Sequence, residues 1–319
     1  MNHEGLNPRP TTASGDPARR TLLFFRDFRG LTGGHLKVWH YFQHTKSSRF
    51  FAPQIYLTPE SFAVPDNPWT GIAPPSQEIW QPEAASLLFL GGMDWQAVPD
   101  PSPRPVINLI QGVRHANIDD PRRRYLSRPA VRICVSEEVA TAILNTGEVN
   151  GPVHTIPNGI DLERVHSAKV RNIDVLVAGL KNPQVAAALH ERLAQKGVTC
   201  RLLTKKIPRA DFLDLLSQSS VVVTLPLPQE GFFLPALEAM AAGAVVVCPD
   251  CVGNRSFCHD GLNCFQPPYE LEALLRATLG AIRLETDQRA ALRLAATTEA
   301  GRHGLDAERT AFLQILDSL

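Results

Sequence analysis

Two carboxylates, Glu230 and Glu238, stand eight positions apart around a segment whose residue types suit a phosphate. Between them Gly231, Phe232, Phe233 and Leu234 lead into Pro235, which a first helical turn tolerates, and then into a run rich in Ala, Leu and Met. The first amides of a helix have no intrahelical partner, so they and the macrodipole favour an anion. Glu238, one turn further in, is better suited to accept hydrogen bonds from sugar hydroxyls. The pair points to a ligand with a phosphate part and a polyol part. The plain alternative is a charge at a helix start and a carboxylate on a solvated face. Gly33-Gly34, between an apolar run and a helical one, is a second place where a backbone can approach a phosphate closely, or simply a tight turn.

Residues 221–225 (VVVTL) have the length and β-branched content of a buried strand, and Pro226, Pro228 and Gly231 punctuate the loop after it. A helix over 234–242 ends at Gly243, and 244–248 forms the next strand, so the unit is βαβ and belongs in a parallel sheet. Upstream, strands are predicted at 174–178 and 199–204, with helices over 183–196 and 212–217. The first half reads the same way. Strands fall at 21–25, 51–57, 86–90, 106–110, 131–136 and 153–157, with helices over 35–44 and 139–145, the latter capped by Ser136. Asp94 and Trp95 follow the third strand, at the carboxyl edge that faces the ligand crevice in open α/β sheets. The Pro-rich stretch 58–82 reads as an acceptor-side loop, and three helices close the chain near 271–284, 287–298 and 307–319.

With the scaffold in place, EGFFLPALEAMAAGAVVV, followed by Gly253-Asn254-Arg255 and Asp260-Gly261-Leu262-Asn263, resembles the donor-binding half of retaining GT-B glycosyltransferases of family 4. The resemblance implies an α/β protein of two Rossmann-like, doubly wound domains facing across a cleft. It places a tail at 1–20, an acceptor domain at 21–165 closed by Pro157-Asn158-Gly159-Ile160-Asp161, and a donor domain at 166–302. The helix at 303–319 then packs back on the first domain. It implies transfer of a sugar from a nucleotide donor, of unspecified base, to a saccharide, lipid-linked or small-molecule acceptor. No metal or other cofactor is required in that scheme.

The resemblance also distributes roles. Glu230 would hold the donor sugar and Glu238 the ribose. The amides of Gly231, Phe232, Phe233 and Leu234 would face the diphosphate, with Gly34 opposite, and Ile207 would lie where the nucleobase is held. Two positions depart from the pattern. Leu180 stands where relatives carry Arg, so Lys181, aided by Lys205, is the expected phosphate cation. Gln111 stands where relatives carry His after the strand; it can hydrogen-bond sugar hydroxyls but cannot titrate. Arg114 and His115, just beyond, are further candidates for the reacting centre, His115 equally as an ordinary interdomain histidine.

Composition removes other classes. Over 319 residues the formal net charge is zero, which advertises no nucleic-acid partner. No apolar run approaches the roughly 20 residues that span a bilayer, and the first twenty residues lack a signal-peptide core. A cytoplasmic protein, touching the inner membrane face at most peripherally, is expected. Arg122-Arg123-Arg124 could meet an anionic acceptor or lipid, but ion pairing with Asp119-Asp120 nearby is the simpler reading. Cys248, Cys251, Cys258 and Cys264 read as structural thiols rather than a zinc site. Two alternatives stay open: a nucleotide-sugar epimerase of the same fold, and a non-catalytic nucleotide-sugar-binding subunit, which the replaced Arg and His would suit.

Overall fold

Runs of Val, Ile, Leu and Phe that are apolar at every position cannot leave either face in water, so they form parallel strands covered on both sides. A computed structural model describes residues 19–70, 76–165, 168 and 170–319. Most of the tail expected at 1–20, three residues of the junction expected near 163–170 and residues 71–75 of the expected acceptor-side loop lie outside the described residues.

The first half contains β1 (Arg20–Arg26), α1 (Gly33–Thr45), β2 (Phe51–Leu57), β3 (Ser76–Gln77), β4 (Leu87–Gly91), β5 (Val106–Ile110), β6 (Val131–Cys134), α2 (Glu137–Leu144) and β7 (Val153–Thr155). Its sheet runs β3-β2-β1-β4-β5-β6-β7. The second half contains β8 (Ile173–Ala178), α3 (Pro183–Gln195), β9 (Cys200–Leu203), α4 (Arg209–Gln218), β10 (Ser219–Thr224), α5 (Leu234–Ala241), β11 (Val245–Val247), α6 (Leu271–Ile282), α7 (Thr286–Gly301) and α8 (Leu305–Leu316). Its sheet runs β11-β10-β8-β9. All pairings are parallel; Val222, for example, lies opposite Leu176 on one side and Val246 on the other. Strand order reverses at β1/β4 in one sheet and at β8/β10 in the other. The crevices at the carboxyl ends of those strands are where such sheets bind ligands.

The two-residue β3 is too short to show an alternating pattern and was not foreseen from the sequence. Trp69 of the adjoining loop is buried edge-on against Trp39 and Phe42, and Trp80 packs on Phe25 and Tyr56 while its Nε1 donates to the Ala97 carbonyl. Both tryptophans therefore anchor their stretches to the core.

Helix α8 lies on the first sheet's side of the molecule, its Phe312 packing on Tyr41 and Phe89. A buried polar cluster fastens it there. Lys37 Nζ, inside α1, donates to Glu308 of α8, to the Gly159 carbonyl at 3.0 Å and to His40 Nδ1 at 3.1 Å. Glu308 also accepts from His44 Nε2 at 3.0 Å and from the Gly159 amide. The lysine is held against carboxylate and carbonyl, which is what permits a charge at that depth. A Cβ on Gly159 would sit 2.9 Å from the Gly304 carbonyl, and the Ile160 amide donates to His303. The Pro-Asn-Gly turn is thus the seat of α8.

Candidate active site

One cavity of about 240 Å³ lies between the two sheets. The carboxyl ends of β8, β9 and β10 supply Ala178, Leu180, Lys181, Leu203 and Leu225, and the opposite wall brings Leu31, Thr32, Gly33 and Asp66. Three acid–base pairs line it. Lys181 Nζ lies 3.4 Å from Glu230 Oε1, Lys206 Nζ 3.5 Å from Asp66 Oδ2, and Arg209 binds Glu238 through two contacts of 3.0 and 2.5 Å. Glu238 is almost fully buried at 1% exposure, whereas Lys181 is half exposed. The burial that would weaken the Arg209 charge is outweighed by Glu238, and the guanidinium pKa is raised.

The loop after β10 is shaped by the segments behind it. The Phe233 amide donates to the Gly253 carbonyl at 2.8 Å, and a Cβ on Gly253 would lie 2.7 Å from the Phe232 nitrogen. Asn254 donates through Nδ2 to the Pro249 carbonyl and accepts from the Cys251 amide. Gly261 holds φ at +71°, while Asp260 accepts from the Gln266 amide and Asn263 from the His259 amide. Gly253 therefore holds the Glu230 loop in shape, while Asn254 and Asp260-Gly261-Leu262-Asn263 fix the turns behind it.

The helix start expected to offer four free amides offers two. Phe233 is taken by Gly253, and Leu234 donates to the Phe232 carbonyl at 3.2 Å; Gly231 and Phe232 stay uncommitted among the described residues. Across the cavity, Thr32 caps α1 by accepting from the His35 amide, and the Gly33 and Gly34 amides have no partner among the described residues. The Phe232 and Gly33 amides, one from each half, thus line the cavity, a suitable setting for a diphosphate, whereas the expected Gly231 and Gly34 do not line it.

Several expected residues fall elsewhere. Lys205 does not line the cavity; its neighbour Lys206 does, together with Ile207. Gln111 stands just outside, its Nε2 donating to the Gly34 carbonyl at 3.3 Å, and a Cβ on Gly231 would approach the Gln111 carbonyl to 2.3 Å. Arg114 is exposed and lines no part of the cavity. His115 is buried away from it, and burial, with Arg122 nearby, pulls its pKa down to about 3, so it is neutral. Asp94 does not face the crevice freely: it pairs with Arg26 and accepts from the Gly91 amide, and Trp95 is core. Arg122 pairs with Asp120 and Arg123 with Glu148, so two of the three clustered arginines are spent locally.

The residues the sequence reading missed are Arg209, Lys206, Asp66 and Thr32. Arg209 carried one usable signal: it follows Pro208 at the start of a helix on the same carboxyl edge as Lys181.

Fold and cavity define a GT-B architecture. Residues 160–283 match the family model described as glycosyl transferases group 1. The chain is similar in structure to HepE of Anabaena in complex with UDP-glucose (16% identity, TM-score 0.71, covering 94% of this chain and 100% of that one). It is similar also to a glycosyltransferase of Rickettsia africae (13%, 0.69, 94% and 98%) and to sucrose-phosphate synthase of Thermosynechococcus elongatus (13%, 0.70, 94% and 99%). No curated protein sequence matches it significantly. Among the described residues no helix is long and apolar enough to cross a membrane.

Proposed function

We propose that the chain is a retaining glycosyltransferase of family 4 that moves a sugar from a nucleotide donor to an acceptor hydroxyl in polysaccharide or glycoconjugate synthesis. The observation that carries this is the cleft cavity where Lys181 and Glu230 stand beside the Phe232 and Gly33 amides, one from each half, with Glu238 held deeper by Arg209.

In this reading Lys181 swings from Glu230 to the donor diphosphate. With the amides of Gly231, Phe232 and Gly33, it stabilises the charge that grows as the glycosidic bond breaks. Glu230, relieved of its cation, accepts from the sugar hydroxyls, and Glu238 from the ribose. Leu180 and Ile207 form the apolar flank for the base. Attack comes from the face the diphosphate leaves, and the acceptor proton passes to the departing phosphate. The chain works in the cytoplasm without a metal, touching a membrane at most peripherally.

HepE binds UDP-glucose, which makes uridine diphosphate sugars the first donors to test. Nucleoside diphosphate release should require both a nucleotide sugar and a saccharide acceptor, and the product should keep the donor's anomeric configuration. An inverted product rejects the retaining course; turnover of the sugar with no acceptor points to an epimerase. A second reading, a non-catalytic binding subunit, is favoured by Leu180 and Gln111 at two reacting positions. Donor binding without release for any acceptor would establish it.

A further inference from the structure

A second concave surface lies at the opposite end of the second sheet. It is bounded by the amino ends of the strands, at Ser220, Thr199 and Gly243, and encloses about 870 Å³. Arg171, Arg289 and Arg293 converge on it. Arg289 and Arg293 are four residues apart on α7 and so share a face, where like charges repel. Neither forms an ion pair with a carboxylate among the described residues, although Asp174 also borders the surface.

Their hydrogen bonds leave capacity unused. A guanidinium has five N–H donors. Arg289 spends Nη2 on the Ile282 and Leu284 carbonyls, and Arg293 spends Nη2 on the Ser220 carbonyl at 3.2 Å. Arg293 Nε is buried without a partner among the described residues. Arg171 holds the Ser219 and Ala242 carbonyls, which fixes the third cation beside the other two. Burial, then the neighbouring Arg293, brings the Arg171 pKa down to about 10.

We propose that this surface is a binding site for a phosphate-bearing anion, separate from the cleft. Planar guanidinium forks, with Thr199 on the same surface, match phosphate oxygens, and the volume accommodates more than one phosphate group. Phosphate presented by a soluble ester and phosphate presented by a lipid headgroup share this chemistry.

Titration calorimetry with inorganic pyrophosphate tests the soluble source, and sedimentation with phosphatidylcholine vesicles containing or lacking phosphatidylglycerol tests the lipid source. The Lys181→Ala variant weakens the cleft's contribution, and none of Arg289, Arg293 and Leu294 lines the cleft, so the binding that their substitution removes reports this surface. In that background, Arg289→Gln with Arg293→Gln should weaken binding about tenfold or more. Because Arg289 also caps carbonyls after α6, Leu294→Glu serves as the second variant. Leu294 is exposed and borders the surface, so a carboxylate there should repel the anion while leaving the melting temperature unchanged. Loss in one arm supports the site and names its source. Absence of binding in both arms, or binding undiminished by Leu294→Glu, overturns it.

Discussion

Arg209 grips both carboxylate oxygens of Glu238, so the deeper acid of the Glu230/Glu238 pair reaches the cavity already neutralised. A ribose can share Glu238 only if its hydroxyls use the remaining lone pairs or if Arg209 gives way. Glu238→Ala should weaken nucleotide binding about tenfold or more, since a lost bond to a charged group is worth roughly 1.5–3 kcal/mol. Arg209→Leu alone should lower the melting temperature, because it strands a buried charge. Arg209→Leu with Glu238→Leu should recover stability but not donor affinity. Calorimetry and thermal melts on the same set separate the two effects, and full donor affinity in the double variant would remove the ribose role.

Lys181 is half exposed and paired at 3.4 Å, a cation free to change partners. Lys181→Ala should reduce kcat by about 100-fold, the scale of losing one preorganised charge on the leaving group, with no shift in melting temperature. Lys205→Ala, outside the cavity, should leave turnover near the parent's. The reverse ranking in steady-state kinetics would transfer the leaving-group role.

Gly231 fits where no side chain can, its missing Cβ 2.3 Å from the Gln111 carbonyl. Gly231→Ala must push the donor loop away from the first half of the chain. Small misplacements of reacting groups can cost about 100-fold, so kcat/KM should fall by at least about tenfold while far-UV circular dichroism is unchanged. Retained kcat/KM would show that this contact is not needed in the reacting geometry.

Breaking the Lys37–Glu308 cluster should cost stability rather than chemistry. Both side chains are fully buried, so Glu308→Gln leaves an uncompensated ammonium, a loss of about 3–5 kcal/mol. Lys37→Met with Glu308→Leu should restore much of it. Urea unfolding midpoints for the three proteins provide the check.

Acid should unfold the protein from about pH 6.5 downward, ahead of ordinary carboxylate titration. Burial lowers the pKa of His40 to about 2 and of His115 to about 3, from an ordinary 6.5. The folded state therefore keeps both neutral while the unfolded state takes up protons. The sign follows: their contribution is complete above pH 6.5 and is lost as pH falls below it, at about 1.4 kcal/mol per pH unit for each. Unfolding free energies between pH 7 and pH 5 should show this slope, and His115→Gln should flatten it by about one proton.

The strands and the Glu230 segment were legible because their signals are local. Val221-Val222-Val223 can only be a buried strand, and Gly253 must be Gly because the Phe232 backbone lies against it. What stayed hidden depends on contacts between distant segments. Arg209 and Glu238 are 29 positions apart, Lys37 and Glu308 271, and no periodicity links them. Lys206 against Lys205 is a choice of direction that only the tertiary fold makes, and Thr32 was overlooked beside the more conspicuous glycines. Of the two amides lost from the expected four, one has the same origin, since Gly253 arrives from a later loop to occupy Phe233, and the other, Leu234, bonds locally to Phe232.

Because α8 is stapled to α1, the backbone passes between the halves twice, once between β7 and β8 and again between α7 and α8. Such a double strap restrains opening to flexing about one line rather than free swivelling. It also sets an order of assembly on the ribosome. Lys37 emerges long before its counterion, so this buried pair is completed only once the sequence around Glu308 has been translated.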